Sequence, residues 1–72
     1  MTNTKEFEIL LLRKGISKKF IAELLGKSLQ TVYNKIHNVV DFTATEIMLI
    51  CNSLQLSKDE RDLIFFAEDV DK

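Results

Sequence analysis

The sequence predicts an all-α domain of five short helices, and three observations carry the prediction. The 72 residues include no proline and only two glycines, so little interrupts helical runs. Asn3-Thr-Lys-Glu6, Thr43-Ala-Thr-Glu46 and Ser57-Lys-Asp-Glu60 each have the layout of a capping box. In that device a side-chain oxygen and the glutamate three residues later satisfy each other's free backbone amides. Apolar residues then recur at spacings of three and four behind each signal.

The first helix starts at Asn3 or Thr4 and turns Phe7, Leu10 and Leu11 to one side. Ile9 and Leu12 make it apolar on more than that side. Gly15 ends it, after Arg13 and Lys14 in the last turn, where the helix dipole favours cations. The second helix runs from a Ser17 cap to Leu25 and buries Ile21, Ala22 and Leu25. The third runs from Ser28 to about Asn38. Only Gly26-Lys27-Ser28 separate the two, too few residues for an ordinary loop.

Each residue of that junction has a mechanical reason. Ala22 is small where the third helix must cross closely over the second. Gly26 supplies a left-handed turn residue that a side chain would penalise. Ser28 is an N-cap able to accept from the amide of Gln30 or Thr31. Val32 points back into the angle between the helices, with Leu29 and Ile36 flanking it. This is the helix-turn-helix signature, spanning 17–38, in which the second helix of the pair is presented outward, usually to the major groove of DNA.

Beyond it, Phe42 stands as a lone apolar anchor in a loop. Thr43 opens the fourth helix, with Ile47, Leu49, Ile50, Cys51 and Leu54. Ser57 opens the fifth, with Leu63, Ile64 and Phe66. The expected core is Leu10, Leu11, Ile21, Ala22, Leu25, Val32, Ile36, Phe42, Ile47, Ile50 and Leu54.

Length bounds what such a chain can be. Residues 1–72 make one domain, and a chain this short buries only about 60% of its unfolded surface. A core of this size supplies roughly 3–5 kcal/mol, so a homodimer is a natural supplement. No apolar run approaches membrane-spanning length, and the N-terminus has no signal-peptide layout. A lone cysteine, Cys51, cannot form an internal disulfide, which points to a reducing, cytoplasmic setting. Cys51 itself reads as a small core residue.

Chemistry is expected to be absent. His37 has no second ligand near it, so no metal site and no cofactor are expected. The acids Asp59, Glu60, Asp62, Glu68 and Asp69 read as a solvated face. There is no phosphate-cradling loop, no nucleophile arrangement and no room for a small-molecule pocket. The chain reads as no enzyme.

The net charge of −1 hides a segregation. Residues 17–40 carry Lys18, Lys19, Lys27 and Lys35 against Glu23 alone, whereas residues 41–72 carry eight acids against three bases. Positive charge therefore gathers on the helix-turn-helix, where a phosphate-binding surface needs it. Gln30, Tyr33, Asn34 and His37 fall on the side of the third helix opposite Val32. The candidate DNA contacts are Lys18, Lys27, Ser28, Leu29, Gln30, Thr31, Tyr33, Asn34, Lys35 and His37. Gln30 and Asn34 suit base edges, and Lys18, Lys27 and Lys35 suit phosphates. Leu29 has two readings, contact with a thymine methyl or completion of the inner face. Phe20 and Leu24 lie one turn apart opposite Ala22. They form either an exposed protein-binding patch or a surface covered by another helix.

Ser17–Asn38 resembles the helix-turn-helix of the Cro and repressor family of bacteriophage and bacterial regulators. Asn34-Lys-Ile-His-Asn38, Asp41-Phe-Thr43 and Glu46-Ile47 further resemble the short Cro-like proteins of temperate phages of Gram-positive bacteria. In those proteins a lysine–aliphatic pair ends the recognition helix and a Phe-Thr pair caps the fourth. Leu63-Ile-Phe-Phe66, with Val70 after it, is similar to their C-terminal helix. Two positions depart from the pattern: Lys27 replaces an aliphatic turn residue, and Leu29 replaces a polar base-contacting one. The resemblance implies a five-helix repressor-like fold and a part in the choice between lysogeny and lysis, in the cytoplasm of a bacterial host. Its implied partners are double-stranded operator DNA or, for a modulator or antirepressor, the phage's main repressor protein.

Overall fold

Backbone hydrogen bonding closes five helices in the computed structural model, which describes residues 1–66. They are α1 (Thr4–Lys14), α2 (Lys18–Leu25), α3 (Leu29–Ile36), α4 (Ala44–Leu54) and α5 (Lys58–Phe65), and no strand forms among the described residues. The expected placements of Glu68, Asp69 and Val70 lie outside the described residues. None of the described helices is long and apolar enough to cross a membrane.

Every helix starts on an oxygen-bearing side chain. Asn3, Ser17, Ser28, Thr43 and Ser57 each accept from the amide three residues on. Thr43–Glu46 and Ser57–Glu60 complete the reciprocal capping box. Asn3 departs from that pattern. Its amide donates across the molecule to the Ile64 carbonyl at 2.7 Å, so Glu6 has no amide left to receive.

Helix ends show a similar economy. Gly15 and Gly26 both sit in the left-handed region at φ 68°. Behind them Ile16 donates to Leu11 and Lys27 to Ala22, closing the six-to-one bond of a Schellman turn. Gln55 ends α4 in the same way at φ 55°, with Leu56 donating to Cys51. Helix α3 stops two residues short of the expected Asn38. His37 leaves helical geometry and Asn38 turns left-handed at φ 66°. Asn38 can do so because its side chain doubles as a backbone: its Oδ1 accepts from the Thr2 amide and its Nδ2 donates to the Thr2 carbonyl, both at 2.9 Å. Thr4 Oγ1 adds a bond to the Ile36 carbonyl at 2.6 Å. Residues 2–4 thus tie the end of α3 to the end of α5.

One core joins all five helices. Phe7, Phe42 and Phe65 meet at its centre with ring centroids 5.4–5.8 Å apart, within the favourable range for aromatic pairs. Ile21, Val32, Ile36 and Ile50 are fully enclosed around them. The expected core holds for nine of its members, while Leu25 and Ile47 are half-buried at its edge. Phe7, Ile64 and Phe65 join it. The expected apolar face of α5 requires correction: Phe65 is inside, whereas Leu63 and Phe66 are exposed. Residues 64 and 66 lie about 200° apart on a helix, so both cannot face one core. Ile9 and Leu12 of α1 are likewise exposed.

A buried ion pair connects α3 to α4. Lys35 Nζ lies 3.0 Å from Glu46 Oε1 and donates to the Asp41 carbonyl at 3.1 Å, and both side chains are more than nine-tenths buried. The same Glu46 oxygen accepts from the Thr43 amide at 2.9 Å. Burial pushes the Glu46 carboxyl pKa up, but the Thr43 amide and the Lys35 ammonium outweigh it and hold the value below the ordinary one. Glu46 therefore stabilises the fold fully above its ordinary carboxylate pKa, and that contribution is lost as pH falls through the lowered one. Removing one partner strands the other charge, so Lys35→Met should cost about 3–5 kcal/mol, comparable to the whole stability of so small a domain. Thermal denaturation at neutral pH and again near pH 3 checks both statements. A Lys35→Met protein melting at the wild-type temperature overturns the first.

Candidate nucleic-acid interface

Helix α3 is sided by its packing. Val32 and Ile36 are fully buried beneath it, on the side that packs against α2. Helix α2 packs against both α3 and α4. Ser28 Oγ accepts from the Thr31 amide at 3.1 Å and shares a 2.9 Å hydrogen bond with Thr31 Oγ1, which fixes the first turn of α3. Those two side chains are taken up by capping.

The uncovered part of α3 carries two columns. Gln30 and Asn34 form one, with Gln30 Nε2 donating to Asn34 Oδ1 at 3.0 Å. Leu29, Tyr33 and His37 form the other. Leu29 is 53% exposed and Tyr33 47%, and the Tyr33 and His37 rings lie 4.1 Å apart. The inner-face reading of Leu29 is thereby overturned. It lies about 60° from Val32 around the helix, yet in the first turn, where no other helix covers it.

The cations separate into different states. Lys35, expected to reach phosphate, is the one residue of that set turned inward, held by Glu46 and the Asp41 carbonyl. It lies about 60° from Val32 on the other side, which puts it over the α3–α4 junction. Lys18 pairs with Glu8 of α1 at 3.1 Å, and His37 Nε2 stands 3.7 Å from the same carboxylate oxygen. Lys27, in the turn between α2 and α3, is exposed and makes no ion pair among the described residues; Lys19 is in the same state. Sequence reasoning missed Glu8 as the group that neutralises this edge. Its position on α1 holds no local clue to a contact with residues 18 and 37.

The Phe20 and Leu24 pair divides. Phe20 is 43% exposed, whereas Leu24 is half-buried and packs on the core, so they do not form one exposed patch. A concavity of about 430 Å³ lies away from α3 and is lined mainly by Ile47, Met48, Cys51, Arg61 and Phe66. Burial raises the Cys51 thiol pKa above its ordinary value, the reverse of what a reactive cysteine needs.

Two substitutions test the sidedness of α3. Leu29→Ser should change stability by no more than about 0.5 kcal/mol, because it alters only an exposed position. Ile36→Ala should cost about 2–5 kcal/mol through lost burial and a cavity. Urea titrations of both variants report the difference, and equal losses would mean that Leu29 is packed inside. Comparison with family models, with curated proteins and with solved structures finds no match to this chain.

Proposed function

We propose that this chain is a helix-turn-helix transcription regulator that places α3 in the major groove of operator DNA. The observation that carries the reading is the division of α3: a fully buried aliphatic side, and an uncovered side bearing Gln30, Tyr33 and Asn34. A groove-entering helix needs both, one face to fix its angle and one to meet base edges. The left-handed Gly26 and the Ser28 cap give the tight junction that such a pair of helices requires. The resemblance of residues 17–38 and of the Phe42-Thr43 region to short Cro-like phage proteins makes the regulated event the choice between lysogeny and lysis. Two copies on a palindromic operator would supply the affinity that one small domain lacks.

Salt dependence measures the reading. With Lys35 sequestered and Lys18 shared with Glu8, Lys27, in the turn before α3, is the expected phosphate contact left without an ion pair among the described residues. Each phosphate neutralised contributes about −0.9 to the slope of log affinity against log salt. Lys27→Ala should therefore flatten the slope by about 0.9 per chain, measured by fluorescence anisotropy. A protein that shifts no lysogeny-switch DNA even at low salt removes the reading.

A second reading is a modulator that binds the phage's main repressor protein. The half-exposed Phe20 and the net charge of −1 favour it, since aromatic anchors dominate interfaces and an acidic partner suits a basic DNA-binding face. Co-purification with the repressor, followed by titration with operator DNA, separates attachment that competes with DNA from a joint complex.

A further inference from the structure

We propose that α3 selects adjacent A·T base pairs, with Leu29 against a thymine methyl and the Gln30–Asn34 pair on an adenine edge. This rests on the DNA-binding reading above and specifies what its reading face accepts. Guanine is read chiefly by Arg or Lys reaching O6 and N7 together. Helix α3 contains no arginine, and its one lysine, Lys35, is enclosed by Glu46 and the Asp41 carbonyl. Cytosine is read by an acid accepting from N4, and α3 contains no acid. The helix is left with two amides, apolar groups, the Tyr33 hydroxyl and a Thr31 hydroxyl already bonded to Ser28.

Those groups match the remaining base pair. The 3.0 Å bond from Gln30 Nε2 to Asn34 Oδ1 uses one donor of the first amide and one acceptor of the second. Gln30 Oε1 stays free to accept and Asn34 Nδ2 stays free to donate. Adenine offers the complementary set in the major groove, an N6 donor and an N7 acceptor. Because the two amides already hold one another, less side-chain freedom is lost on contact. Beside them stands Leu29, exposed at the start of α3. The thymine C5-methyl is the apolar feature of the unmodified major groove, and a leucine there gains from it alone. Tyr33, one turn on and in tilted contact with the His37 ring, extends the column by about 6 Å along the helix, close to two base steps.

The test uses the full chain and a random-sequence duplex library. Selected sites should carry adjacent A·T pairs at the centre of each half-site. Replacing the contacted thymine by deoxyuridine should weaken binding about fourfold for the methyl lost. The Leu29→Ala protein, with an unchanged melting temperature, should bind the thymine and uracil duplexes equally. 7-Deazaadenine at the neighbouring pair should weaken the wild-type protein but not Asn34→Ala. Selected sites centred on G·C pairs, or uracil duplexes bound as tightly as thymine by the wild type, overturn the assignment. So does salt-dependent binding with no sequence enriched, and in each of these cases DNA binding itself stands. Failure to retain any duplex at low salt overturns the assignment and the DNA-binding reading together.

Discussion

The structure turns on where Lys35 goes. Its ammonium meets Glu46 and the Asp41 carbonyl, while Glu46 also holds the Thr43 amide, so one small polar cluster ends α3, shapes the loop and starts α4. Its charge also lies 6.0 Å from the centroid of the Phe42 ring, at the edge of the central aromatic group. Taking two charges out of water is costly, and an apolar replacement of equal shape often serves stability as well. What the pair contributes here is direction. An apolar contact tolerates sliding, whereas an ammonium with two fixed oxygen partners sets the rotation of α3 about its own axis.

That rotation decides what α3 shows. With Lys35 pinned on one flank, Val32 and Ile36 are driven into the core, and Gln30, Tyr33 and Asn34 have nowhere to face but outward. The other end of the constraint is at the N-terminus. Asn38 exchanges two hydrogen bonds with Thr2, Thr4 bonds the Ile36 carbonyl, and Asn3 bonds the Ile64 carbonyl. Two anchors, one to α4 and one through residues 2–4 to α5, hold a helix of eight residues that would not persist alone.

Much of this was legible in the sequence, because capping and turn chemistry is local. All five N-caps and both glycine C-caps stand where residue type and spacing put them. The left-handed Asn38 and Gln55 were not foreseeable in the same way, since each depends on partners or packing that the flanking residues do not reveal. The site misled in two opposite ways. Lys35 looked like a surface cation by type, although its angle from Val32 already put it on the inner side. Leu29 looked like core by type, although a first-turn position leaves it beyond cover. Position along and around the helix outweighed residue chemistry in both cases. Glu8, which pairs with Lys18 and stands beside His37, was invisible because a contact between α1, the start of α2 and the end of α3 has no sequence spacing.

Ion pairing also thins the positive charge around α3. Segment sums give residues 17–40 a clear positive excess, yet Glu46 cancels Lys35 and Glu8 cancels Lys18. The potential at α3 is therefore weaker than the sequence suggests, and long-range steering of a polyanion is correspondingly small. On the proposed DNA-binding reading, little affinity comes from non-specific phosphate attraction, which carries most of the affinity for random DNA. The two ion pairs thus leave the uncovered side of α3 with amide, hydroxyl and apolar groups rather than free positive charge.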